Sequence, residues 1–156
     1  VGAPGDDNAG ANDQGSAYIY TYSAGAWTQT AKLLASDGAA GDRFGSSVAN
    51  DGFYYAVVGS PGDSIGSNPN QGSAYIFFDN RSAFVQSQKL LASGGTAQSR
   101  FGTSVAKHGP NIVIGAPGAG NPAAGRAFVF TPDITGLWTQ QTTLAPSSAG
   151  HRHPRG

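Results

Sequence analysis

At 156 residues the chain suits one ordinary domain, and nine basic and nine acidic residues cancel to a net charge of zero. Only 12% of residues are charged and no basic stripe runs beside stacking aromatics, so nothing attracts nucleic acid or an anionic membrane at long range. With no Cys, no Met and no run near the roughly 20 apolar residues of a membrane helix, disulfides, thiolate metal sites and a helical membrane span are excluded. Lacking a start Met, the sequence is expected to be a processed product, a fragment or an excised piece.

Twenty-four Gly and nine Pro separate short bursts of Tyr, Phe, Val, Ile and Thr, which predicts many short strands joined by tight turns. Gly2-Ala3-Pro4 closes the first strand, and a polar loop from Gly5 to Gly15 follows. Ser16-Ala17-Tyr18-Ile19-Tyr20 is the next strand, then a strand anchored by Trp27 and ending in Lys32-Leu33-Leu34-Ala35-Ser36. A new unit begins at Arg43-Phe44-Gly45, with a strand predicted from Phe44 to about Ala49. Asn50-Asp51-Gly52 is a strong hairpin turn. Strands over Tyr54–Val58, Ser73–Phe78 and about Ala83–Leu91 complete that unit, and a third unit repeats the order.

The repeat is visible residue by residue. Ser16-Ala17-Tyr18-Ile19-Tyr20 returns 57 residues later as Ser73-Ala74-Tyr75-Ile76-Phe77, and after a further 53 as Arg126-Ala127-Phe128-Val129-Phe130. Lys32-Leu33-Leu34-Ala35-Ser36 returns as Lys89-Leu90-Leu91-Ala92-Ser93, then weakly as Thr142-Thr143-Leu144-Ala145-Pro146. Arg43-Phe44-Gly45-Ser46-Ser47-Val48-Ala49 returns as Arg100-Phe101-Gly102-Thr103-Ser104-Val105-Ala106. Gly2-Ala3-Pro4, Gly59-Ser60-Pro61 and Gly115-Ala116-Pro117 form another series, as do Trp27, Phe84 and Trp138. The predicted fold is all-β: four-stranded antiparallel propeller blades, about two and three-quarters of them, with the core made between neighbours. The expected divisions are a partial blade over 1–40, complete blades over 41–97 and 98–145, and a disordered tail over 146–156.

Phe-Gly followed by Ser-Val-Ala, and later Gly-Ala-Pro, resembles the FG-GAP repeat of integrin α-subunit propellers. The string from Lys32 to Ala49 is similar to the bacterial and algal branch of that family. The resemblance covers residues 1 to about 145. It implies an extracellular or cell-surface module that binds protein or carbohydrate and is not an enzyme. Two other functions stay open: a structural subunit of an extracellular filament or wall, and an accessory propeller of a larger hydrolase. The partner at the open ends is either the remaining blades of a parent propeller or another copy of the chain, in a ring or a filament.

Candidate sites come from the loops. Asp6, Asp7, Asn8 and Asp13 are hard oxygen donors in a Gly-rich loop, so a Ca2+ site is one reading and a self-bonded polar loop the other. The second copy of that loop keeps one carboxylate, Asp63, and the third keeps none. Integrin propellers carry calcium in a different loop; the matching turns here, around Asp51 and His108, are short and hold at most one carboxylate. Asp37 and Asp42 are expected in a solvated loop. Arg43 and Arg100 are expected to bond loop carbonyls or pack their stems between blades rather than to contact a ligand. Trp27 and Trp138 offer sugar-stacking faces, although one aromatic per blade also suits interblade packing. Asn80-Arg81-Ser82 is an N-glycosylation sequon at Asn80 in an exposed turn. His151 and His153 share metal-ligand spacing in the tail, to which no function is assigned. Neither a Ser-His-Asp set nor a repeating carboxylate pair can be assembled, and all nine acids are Asp.

Overall fold

A computed structural model describes residues 1–120 and 123–147. It contains eleven strands: β1 (Gly2–Ala3), β2 (Ser16–Ser23), β3 (Ala26–Leu33), β4 (Ser47–Asn50), β5 (Tyr55–Ser60), β6 (Ser73–Asp79), β7 (Phe84–Leu90), β8 (Ser104–His108), β9 (Asn111–Ala116), β10 (Arg126–Pro132) and β11 (Trp138–Leu144). They form three antiparallel meanders, β1-β2-β3, β4-β5-β6-β7 and β8-β9-β10-β11. The fold is therefore all-β, made of consecutive propeller blades, as the repeat predicts.

Each hairpin between the last two strands of a blade (β2-β3, β6-β7 and β10-β11) shifts register at the same place, after Ile19, Ile76 and Val129. One extra residue there, Thr30, Ser87 or Gln141, makes a bulge that increases local twist. The hydroxyls of Thr30 and Ser87 donate to the facing carbonyls of Ile19 and Ile76.

The middle blade shows why a single sheet does not suffice. Alternation sends Ala56, Val58, Tyr75 and Phe77 to the first blade, where they meet Ala17, Leu33 and Phe44. Val57, Ala74, Ile76 and Leu90 point the other way and meet Phe101, Ile112, Ile114 and Phe128 of the third blade. Burying one such aliphatic or aromatic side chain contributes about 1.5–3 kcal/mol, so each interface is the core of two repeats at once.

The strand predicted from Phe44 starts only at Ser47. Arg43 and Gly45 both have positive φ, at 55° and 91°, so Phe44 lies between two left-handed residues and cannot join the ladder. Its N–H instead bonds the Gln14 carbonyl, making a parallel bridge between Gly15 and Phe44. Phe101 repeats this with Gln71 and Gly72. Gly45 is required twice over, by its φ and because a Cβ would lie 2.1 Å from the Ser16 carbonyl oxygen. The turn drives Phe44 inward against Tyr75 and Phe77, edge-on at 5.4 and 5.9 Å, and Phe101 likewise against Phe128 and Phe130.

One alignment needs correcting. Leu144 pairs with Ala127 as Leu90 pairs with Ala74, so Thr143, rather than Thr142, stands where Lys89 stands. The weak third copy hid a one-residue shift.

Candidate functional site

The loops between the second and third strands of a blade dock onto their own sheets through a charged cluster. In the first blade, Asp6 Oδ2 accepts from Ser16 Oγ at 2.6 Å and Tyr18 OH at 3.0 Å, and pairs with Lys32 Nζ at 2.9 Å. In the second, Asp63 Oδ2 accepts from Ser73 Oγ at 2.6 Å and Tyr75 OH at 3.2 Å, and pairs with Lys89 Nζ at 2.7 Å. All four positions are 57 residues apart. Strand register puts Ser, Tyr and Lys on one face, and the Gly-Asp turn brings the carboxylate over them. Ser16, Lys32 and Tyr18 hold the Asp6 carboxyl down to about 2, and the Asp6 hydrogen bond raises Lys32.

The second cluster has a further member. Asp37, from the connection leaving the first blade, accepts from Tyr75 OH at 2.9 Å and pairs with Lys89 at 2.6 Å. This links two blades through one ammonium. Burial pushes Lys89 down, but bonds to Asp37 and Asp63 more than reverse it and leave it raised. Burial likewise pushes Asp37 up, and Lys89 and Tyr75 overcome that to leave it lowered. Burial raises Tyr75. Asp42 is buried, accepts the Ala39 N–H at 2.7 Å, and is raised chiefly by burial. The expected solvated loop is thus exposed at Asp37, which nonetheless ties two blades together, and buried at Asp42. Ser99, at the position of Asp42, accepts the Thr96 N–H at 3.1 Å in the same way.

The third blade replaces the cluster as a set. Ala119, Arg126, Phe128 and Thr143 occupy the four positions, and Ala119 and Phe128 are buried. Its charged contact lies elsewhere: Lys107 on β8 pairs with Asp51 at 3.3 Å and sits over the rings of Tyr55 and Trp138 at 5.4 and 5.3 Å. Asp51 Oδ1 accepts the N–H groups of Phe53, Tyr54 and Tyr55, which shapes the hairpin turn. Those bonds and Lys107 outweigh burial and lower its pKa.

These contacts bear directly on the calcium reading. Asp7 Oδ1 accepts the Asp13 N–H at 2.8 Å, and Asn8 Nδ2 donates to the carbonyls of Asp6 and Gly15. The Lys32 ammonium lies 2.8 Å from Asn8 Oδ1 and 2.9 Å from Asp6 Oδ2. A cation already bridges two of the candidate ligand oxygens. Among the described residues no three His, Cys, Asp or Glu side chains converge as a ligand set. As folded, the loop does not fit a resident calcium ion, which takes six to eight oxygens.

The two tryptophans part company. Trp27 is 69% exposed and stacks at a tilt on Tyr22, whereas Trp138 is 4% exposed. Gln88 of the second blade bonds both the N–H and the carbonyl of Trp138, so that residue is an interblade packing element. Its Nε1 is a buried donor without a partner among the described residues. Asn80 is exposed, and its Oδ1 caps the turn through the N–H groups of Ser82 and Ala83. His151 and His153 lie outside the described residues.

The sequence reading missed the charged cluster, yet a signal was present. Asp6, Ser16, Tyr18 and Lys32 recur together and disappear together, which marks residues that touch.

Stacked four-stranded blades with Phe-Gly corners define an integrin-like β-propeller repeat protein. The chain belongs to the FG-GAP repeat family, whose model matches residues 27–77 and 84–130. It is 32% identical over 120 residues to integrin alpha-2 of Mus musculus, covering 70% of this chain and 10% of that protein. Integrin alpha-PS5 of Drosophila melanogaster is 31% identical over 109 residues, 62% of this chain and 10% of that protein. Integrin alpha-PS3 of the same fly is 30% identical over 121 residues, 69% of this chain. The chain spans about a tenth of the length of these curated relatives. Among the described residues no helix is long and apolar enough to cross a membrane.

Proposed function

We propose that the chain is an extracellular or cell-surface adhesion module that binds protein or carbohydrate ligands on the loops of its blades. One observation carries this reading. Ion pairs hold loops to strands and blade to blade, as the buried Asp63, the partly buried Lys89 and the half-exposed Asp37 do, which makes a rigid platform for surface recognition. Family membership supports the same class of function. Asn80 is a glycosylation site in this reading, since its turn is exposed. The test is a solid-phase panel of matrix proteins and glycans: saturable binding to at least one is expected, and uniform failure across the panel rejects the module.

A second reading, self-association through blade faces, rests on exposed apolar groups. Val113 is 37% exposed and Leu144 is 52% exposed, where their counterparts Val57 and Leu90 in the middle blade are 0% and 2%. Light scattering decides it: concentration-dependent growth supports assembly, and a constant monomer mass removes it.

A further inference from the structure

On the side where the blade-to-blade connections emerge lies an open groove of about 540 Å³. Arg43, Arg100, Asp13, Asn70, Ser46 and Thr103 line it, with Gly41, Pro61 and Gly62 as its backbone floor. A smaller depression beside it shares Arg43, Asp13 and Ser46. The two arginines hold the same repeat position, 57 residues apart, and both are exposed.

Their backbones are fully committed to the corner. The N–H groups bond the carbonyls of Asp13 and Asn70, and the carbonyls accept from Ser46 Oγ and Thr103 Oγ1 at 2.7 Å. Both residues are left-handed, at φ 55° and 54°, a conformation that Gly or Asn takes with less strain. Each arginine precedes a buried Phe, so the corner turns one side chain in and the other out. The ion pairs among the described residues all use lysines. The carbonyl contacts expected of the two guanidinium groups are absent among the described residues, so the proposed structural role belongs to the backbone. What remains is one planar, five-donor cation at each of the two Phe-Gly corners, facing a polar groove.

We propose that this groove binds an acidic polysaccharide, whose carboxylate or sulfate groups engage Arg43 and Arg100 in succession. The proposal rests on the binding-module reading and assigns it a site. Two cations at equivalent repeat positions suit a polymer that carries charge at regular intervals. Hydroxyl, amide and bare backbone surround them, which suits sugar hydroxyls, and the lining holds no apolar pocket for a peptide's anchor side chain. The molecule has no net charge, so attraction is confined to the groove. Asp13 opposes an anion at the Arg43 end, whereas Asn70 holds its place beside Arg100. Arg100 is therefore the stronger half of the site.

Affinity electrophoresis through gels carrying polygalacturonate, dextran sulfate, neutral dextran or polyglutamate tests this, with thermal melts to check folding. Retardation by the first two, weakening with salt and absent with neutral dextran, is expected. Asn tolerates the left-handed backbone, so Arg100→Asn should weaken retention about fivefold, as for exposed charge contacts, Arg43→Asn should weaken it less, and the double variant should abolish it. Asp13→Asn should tighten it without touching either arginine. Wild-type mobility equal in charged and neutral gels, or retention unchanged in the double variant, overturns the proposal. In the latter case the binding module survives with its site elsewhere. Polyglutamate retention equal to that by the polysaccharides also overturns it, in favour of an acidic protein partner.

Discussion

The second and third blades solve one packing problem in two ways. In the second, a loop turn is fastened by Asp63, Ser73, Tyr75 and Lys89; in the third, the same four places hold Ala119, Arg126, Phe128 and Thr143. Backbone pairing is equivalent in both, and both turns bond the loop N–H back to the end of the preceding strand: Asp63 to Ser60, and Ala119 to Ala116. The charged version therefore does not create the turn. Two charges taken from water recover that cost only if both are present and fully bonded, and apolar residues of similar volume often serve as well. Loss of one partner leaves a buried charge alone. The positions are thus expected to change as a set, which the third blade displays.

The largest effect should come from breaking the set. Lys89→Met leaves Asp63 buried and Asp37 without its cation, and should cost about 2–3 kcal/mol in urea unfolding near neutral pH. The deficit should shrink in acid. The folded pKa of Asp37 is lowered, so its stabilising share is complete above the ordinary carboxylate value of about 3.9 and is lost as pH falls through the folded value. A Lys89→Met deficit that is constant with pH would mean lost packing of the lysine stem instead.

Transplanting the third blade's set should recover most of that loss. Asp63→Ala, Tyr75→Phe and Lys89→Thr, with Ser73→Ala because that fully buried site cannot take the exposed arginine of the third blade, should together lie within about 1 kcal/mol of the parent, with single changes far from additive. Asp37 remains, but it is half-exposed and can be hydrated. A quadruple variant as unstable as Lys89→Met would show that the two solutions are not interchangeable, and that Asp37 requires its lysine.

A smaller change tests the neighbouring loop. Asp42 and Ser99 hold equivalent turns, through Ala39 and Thr96. Because burial raises Asp42, its folded form binds a proton more readily, so it favours folding in acid and disfavours it as pH climbs past the unfolded value. Asp42→Ser should raise the melting temperature slightly near neutral pH, and the gain should vanish in acid. A loss at neutral pH would mean that the charge itself is needed there.

Blade order and the shared core were legible because alternation and the 57-residue period both report local backbone geometry. Val57 and Val58 could be assigned to opposite faces from spacing alone. Contacts that cross between blades were not. Asp37 meets Lys89 at a separation that is not the repeat length, so no motif comparison brings the two together. Nor does residue type separate Trp27 from Trp138; which sheet lies against each decides whether it is exposed or buried. The corner arginines were misjudged because sequence shows the residue and not its φ: the left-handed turn holds the backbone and turns the guanidinium outward.

The smallest expected effect concerns the first blade, whose cluster faces solvent more than the second. Lys32 bridges Asp6 and Asn8, so calcium would have to displace an ammonium bonded to both. Calcium or a chelator should leave the melting temperature unchanged. Lys32→Met sharpens the test, because it frees those oxygens without altering the loop backbone. If that variant alone gains a calcium-dependent shift, the ammonium is the intramolecular substitute for a metal. If the parent already shifts, the loop rearranges to admit the ion and the lysine is only a surface partner. If neither shifts, Asp7 Oδ1 remains committed to the Asp13 N–H at 2.8 Å, and the first loop is held by its own hydrogen bonds, as the self-bonded reading of its sequence requires.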